Sequence, residues 1–132
     1  MTQAEATFGI ATAQADARYP RVHRLLKPAE FRYVFDSAVR SGDRAFTLLV
    51  RSTDQGYPRL GMAIARKKTR TAVGRNRIKR LIRESFRQRR GDLPSIDIVV
   101  LLRDGAVHQD NVALRSELDS HWARLIKRFS GL

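Results

Sequence analysis

The sequence contains no cysteine, which excludes disulfides, thiol nucleophiles and cysteine-based metal sites. It also lacks a long apolar run. The longest, Ile98 to Leu102, falls far short of the roughly 20 residues a membrane-crossing helix needs. No basic region followed by an apolar one opens the chain, so a secretory signal is not expected. Neither GxxxxGK[ST] nor GxGxxG occurs, which removes the common phosphate-cradling loops. The three histidines, His23, His108 and His121, are far apart and show no metal-ligand spacing. His121, beside Trp122, is expected at the surface or half-buried. The carboxylates are scattered, without a pair that suggests general acid–base or two-metal chemistry. No catalytic residue and no metal ligand is therefore assigned, and a nuclease acting without a partner is not expected. These absences predict a soluble cytoplasmic protein with no membrane partner and no obligate protein partner.

Acidic residues are scarce too: 13 against 26 Lys and Arg give a formal charge of +13 over 132 residues. The imbalance is local. From Arg66 to Arg90 lie twelve of the basic residues and one acid, Glu84, leaving fourteen against twelve elsewhere. An excess confined to one segment has the character of a binding surface for a polyanion.

The length predicts one domain, residues 20–132, behind an N-terminal tail of residues 1–19 that is rich in Ala and Thr and expected to be mobile. "KPAEFRYVFDSAV" predicts a helix from Lys27, with Pro28 in its first turn and Phe31, Val34, Phe35 and Ala38 at helical spacing. "SGDR" (41–44) breaks the chain. "AFTLLVRS" predicts a strand with Phe46, Leu48 and Val50 on one face and Thr47, Leu49 and Arg51 on the other. After the turn "TDQGYPR", the strand "LGMAIA" has a bulky face and a small one, the latter open to close approach by a helix or ligand. A helix follows from Thr71, a candidate N-cap, with Gly91 and Pro94 as stop signals. "IDIVVLL" (96–102) reads as a buried strand, and Leu114, Leu118, Trp122, Leu125 and Phe129 form one stripe of a last helix, about 111–129. The predicted fold class is a mixed α/β (α+β) two-layer sandwich: one small sheet with helices, including a βαβ unit at 60–102.

At about 100° per residue, the helix after Thr71 gathers Ile78, Leu81, Ile82, Ser85 and Phe86 on one side. Asn76, Arg80, Arg83 and Arg87 lie opposite, flanked by Arg75, Arg77 and Lys79. Like charges three or four residues apart repel by a few tenths of a kcal/mol per pair, roughly, and Glu84 is the one acid inside the segment. Such a face can be merely solvated, but phosphates fit it better, because Arg binds their oxygens bidentately and counterion release drives the association.

"AVGRNRIKRLIRESFR", preceded by "RLGMAIARKK", resembles the signature of the bacterial ribonuclease P protein family. The resemblance runs back through "LLKPAEFRYVFDSAVRSGDRAFTLLV" and forward through "DIVVLLR" to the last helix, covering about residues 21–130. It implies a βαβ crossover of left-handed sense, against the usual rule. It implies as partners a catalytic RNA, which removes the 5′ leader of precursor tRNA with Mg²⁺ held mainly by RNA, and the single-stranded leader itself. Carried over by position, it implies RNA binding by Arg75, Asn76, Arg77, Lys79, Arg80, Arg83 and Arg87, with Arg66, Lys67 and Lys68 leading in. Phe31, Phe35, Phe46 and Leu49 would line the leader cleft, Leu49 standing where relatives can place an aromatic. Two alternatives remain at this point. A ribosome-associated RNA-binding protein would share the charge and size; a DNA reader would need a compact helix-turn-helix pair, which is missing.

Overall fold

The computed structural model describes residues 23–129 apart from 37, 66–68 and 70, and excluding the side chains of 107 and 108. Helix α1 (Pro28–Asp36) leads into strands β1 (Val39–Gly42), β2 (Phe46–Ser52) and β3 (Arg59–Ala63), helix α2 (Ala72–Arg89), strand β4 (Ile96–Leu102) and helix α3 (Asn111–Phe129). The strands form one sheet in the order β1-β2-β4-β3. β2 is antiparallel to both β1 and β4, whereas β3 runs parallel to β4 and is joined to it through α2. The expected βαβ unit is thus present, and the mixed α+β sandwich gains a strand.

That strand, β1, and the end of α1 differ from the sequence-based expectation. Ala38 fits helical spacing, but α1 ends at Asp36 and Val39–Gly42 pair along the free edge of β2, Val39 opposite Val50 and Gly42 opposite Thr47. Edge pairing satisfies backbone groups that a local hydrophobic pattern does not register.

The strict alternation of strand side chains divides the interior. Phe46, Leu48, Val50, Leu60, Ile96, Ile98, Val100 and Leu102 face α2 and α3, where they join Ile78, Leu81, Ile82, Phe86, Leu114, Leu118, Trp122 and Leu125 in the main core. Trp122 is fully buried; its indole N–H donates to Ser85 Oγ at 2.7 Å, and its ring meets Phe86 edge-on at 6.0 Å. This seam sets α2 against α3. A smaller cluster, Leu25, Val34, Leu49 and Val99, lies on the opposite face beneath α1, with Phe31, Ala63 and Leu101 packed against it.

Candidate nucleic-acid interface

Helix α2 begins where Thr71 Oγ1 accepts the amide of Gly74 at 2.9 Å, an N-cap as expected. Its apolar stripe is buried, so the arginines must point away from the sheet. Their surroundings sort them into two groups. Arg75 turns back to the carbonyl of Thr69 (3.2 Å), Arg77 donates to Asn111 Oδ1 of α3, and Arg87 holds Glu84 through two bonds of 3.0–3.1 Å. These three have partners within the protein, Arg77 and Arg87 at exposed positions. Asn76 and Arg80 are exposed and Lys79 and Arg83 half-buried, and none of the four makes a hydrogen bond or ion pair among the described residues. A run of cations without internal acids is a surface that phosphates can neutralise. Arg66, Lys67 and Lys68 lie outside the described residues, as does the N-terminal tail.

On the other face, α1 starts at Pro28, and Glu30 Oε1 accepts the amides of Leu26 and Lys27 at 2.8 and 2.9 Å, half of a capping box. The other Glu30 oxygen meets Arg59 at 2.9 Å, and Arg59 forks onto the fully buried Asp97 at 2.9 and 2.7 Å. Gln55 completes the coordination of Asp97 at 3.0 Å. Burial works against the charge of Glu30, but the two amides and Arg59 outweigh it and hold its carboxyl below the usual range. α1 is thereby tied to β3 and β4 by one chain of charges.

Phe31 lies directly over Gly61: a Cβ there would fall 2.7 Å from the ring's Cε1 and Cζ. The small face of β3 therefore does what its composition suggests, admitting an aromatic ring to the backbone. Phe35, one turn on, is 47 % exposed, and Tyr33, 43 % exposed, stacks on the Arg51 guanidinium at 3.7 Å. Leu49 is on this face at 6 % exposure, beside Val99. By register Thr47, Leu101 and Ala63 share this face of the sheet, with Arg40 opposite Leu49 on β1.

Phe46 does not join them. It is fully buried on the α2–α3 face, because an even step along β2 from Leu48 cannot share a side with Leu49. Phe31 packs against the cluster of Leu49 under α1, Phe35 stands exposed on the same helix, and the arginines of α2 lie beyond the sheet.

His121 is likewise not at the surface but fully buried. Its Nε2 lies 2.7 Å from Asp43 Oδ2, and Nδ1 faces Ser41 Oγ at 2.8 Å and Arg124 at 3.0 Å. Glu117 bonds Asp43, and both carboxylates accept the amide of Ala45 at 3.1 Å. Burial first, and then the hydrogen bond to Asp43, pushes the Glu117 carboxyl up, with the charge of Asp43 adding to it. Glu117 and His121 lie one turn apart on α3, and the β1–β2 turn docking on that helix brings the distant Asp43 to them. Only the pairing of β1 with β2 could have signalled it.

A small basic α+β protein, with an arginine-faced crossover helix on one side of its sheet and a short helix bearing exposed aromatics on the other, is the class these features define. A model of the family "Ribonuclease P" matches residues 19–126. Among similar proteins, the "Ribonuclease P protein component" of Methylococcus capsulatus is 50 % identical over 113 residues, 86 % of this chain and 88 % of that one. The protein of the same name from Salmonella arizonae is 47 % identical over 106 residues, 80 % of this chain and 89 % of the other. The solved RNase P protein of Thermotoga maritima aligns with a TM-score of 0.70 at 30 % identity, over 76 % of this chain and 96 % of that one. A Staphylococcus aureus RNase P protein mutant aligns at 0.77 over 91 % and 98 %, and at 24 % identity its likeness is one of fold. The chain belongs to the ribonuclease P protein family, the protein component of an endoribonuclease.

Proposed function

We propose that this protein binds the catalytic RNA of ribonuclease P and the single-stranded 5′ leader of precursor tRNA, and so assists removal of the leader. The observation that carries the reading is the cation face of α2, where Arg80, Arg83, Lys79 and Asn76 have no partner among the described residues. Arg and Lys on an exposed helix supply a sequence-independent affinity for phosphate. The cleft beside α1 supplies the second contact. Phe35 and the edge of Phe31 offer stacking, worth about 1–3 kcal/mol per base and indifferent to base identity, which suits leaders of varied sequence. Leu49 adds an apolar contact beneath them.

In this reading the protein positions and the RNA cuts. The described residues do not fit a Mg²⁺ site. No group of three His, Asp or Glu side chains among them is placed to hold a metal ion, and in the Asp43–Glu117–His121 cluster the carboxylates are spent on Ala45, on His121 and on each other. The Mg²⁺ that hydrolysis requires is accordingly assigned to RNA and substrate. Among the described residues no helix is long and apolar enough to cross a membrane, and the proposed place of action is the cytoplasm.

The test is affinity for precursor against mature tRNA in the presence of a bacterial ribonuclease P RNA. Tighter binding of the precursor, with the difference reduced by Phe35→Ala, is expected. Equal affinity for the two tRNAs would favour a ribosome-associated RNA binder instead.

A further inference from the structure

Helices α2 and α3 run in the same direction: Arg77 meets Asn111 near both starts, and Ser85 meets Trp122 further along both. Between them lies a groove of about 980 Å³. Its two ends differ. Near the helix starts it is lined by Arg77, Arg80 and Arg115, with Val73, 80 % exposed, as an apolar lip. Arg80 and Arg115 are exposed and make no hydrogen bond or ion pair among the described residues. Toward the other end stand Glu84, Gln88 and Asp119, of which Glu84 is already held by Arg87.

A phosphate backbone following the groove would run from cations into carboxylates, so it can cross the basic end but not track the whole length. A base can enter the other end. Its exocyclic amino group would find acceptors in Asp119 and in the Gln88 amide, which are the groups that read base edges. The volume lies at the upper end of the range of about 300–1,000 Å³ usual for ligand clefts. Paired bases cannot present themselves in this way, whereas an unstacked one can.

Resting on the ribonuclease P reading, we propose that the α2–α3 groove holds one unpaired nucleotide of the catalytic RNA, its phosphate on Arg80 and Arg115 and its base toward Gln88 and Asp119. Helix α3 then belongs to the interface with the RNA subunit, on the side of the sheet away from the leader cleft.

The absence of cysteine makes a direct test available. Gln88→Cys and, separately, Asp119→Cys each give one attachment point for a photo-crosslinker on the full chain, assembled with a bacterial ribonuclease P RNA and precursor tRNA. Both are expected to crosslink to the same unpaired region of the RNA subunit. Arg115→Ala is expected to weaken RNA-subunit affinity about tenfold and to lower the salt slope by about one, with Arg115→Lys restoring the slope. The preference for precursor over mature tRNA should stay as in the wild type. Crosslinks to duplex or to tRNA, or an Arg115→Ala variant with unchanged affinity and slope, would overturn the proposal. A wild-type chain that fails to bind the RNA subunit would instead overturn the functional reading on which it rests.

Discussion

On the α2–α3 side of the sheet, among the described residues, nineteen buried side chains form one continuous core; on the α1 side, four do. The first face is a hydrophobic seam with charges pushed outward, so its arginines are presented by a rigid support. The second relies on Phe31 lying over Gly61 and on the Glu30–Arg59–Asp97 chain to hold a nine-residue helix. Thin packing suits the leader contact proposed for this face, because a sheet fully covered by α1 would have no room for a base. The difference implies that α1 opens at lower free energy than α2.

The largest effect should come from the strong face. Trp122→Ala removes the packing of α3 on Phe86 and leaves Ser85 without its donor, at a cost of about 3–5 kcal/mol in urea unfolding. A loss below about 1 kcal/mol would mean the seam relaxes around the cavity. Next is Arg59→Ala. It strands the buried carboxylate of Asp97 and should cost about 3 kcal/mol or more, with Asp97→Asn in the same background recovering part of it. Recovery by that second change is the outcome that identifies an unpaired charge as the cause.

Gly61→Ala forces the Phe31 ring aside, with an expected cost of about 1–3 kcal/mol and a larger loss of precursor preference than of RNA-subunit affinity. Equal losses of both would break the separation between the two faces. Phe35→Ala, at a half-exposed position, should change stability by less than about 0.5 kcal/mol while lowering precursor affinity, and is thereby a cleaner probe of the cleft than Phe31.

The smallest effect is one of pH. Burial lowers the pKa of His121; Asp43 opposes this and Arg124 adds to it. The unfolded chain thus takes up the proton near pH 6.5 before the folded one does, so stability should fall as pH drops below about 6.5. His23, also lowered by burial, contributes in the same window, so His121→Asn should flatten the slope only in part. The Asp43 carboxyl, which its partners hold low despite burial, loses its contribution only near and below pH 3.8.

How far each face can be read from sequence follows from the same contrast. Helix α2 carries its cap, apolar stripe and charge within one contiguous segment, so its boundaries and exposed arginines follow from periodicity. The α1 face is assembled from α1, β1, β2, β3 and β4, and its membership depends on which side of each strand a residue takes. Alternation in "AFTLLVRS" already separates Phe46 from Leu49, and attention to residue type in place of parity puts Phe46 in the wrong place. β1 escapes because four residues at a sheet edge leave too short a pattern. The Asp43–Glu117–His121 cluster escapes because it exists only after α3 docks on the β1–β2 turn.

The most direct measurement is cleavage of precursor tRNA by a bacterial ribonuclease P RNA at low Mg²⁺, with and without this protein. Cleavage that requires both components, giving the mature 5′ end, is the predicted result. An RNA bound by the protein but no faster in cleavage would contradict the assignment of these two faces to leader and catalytic RNA.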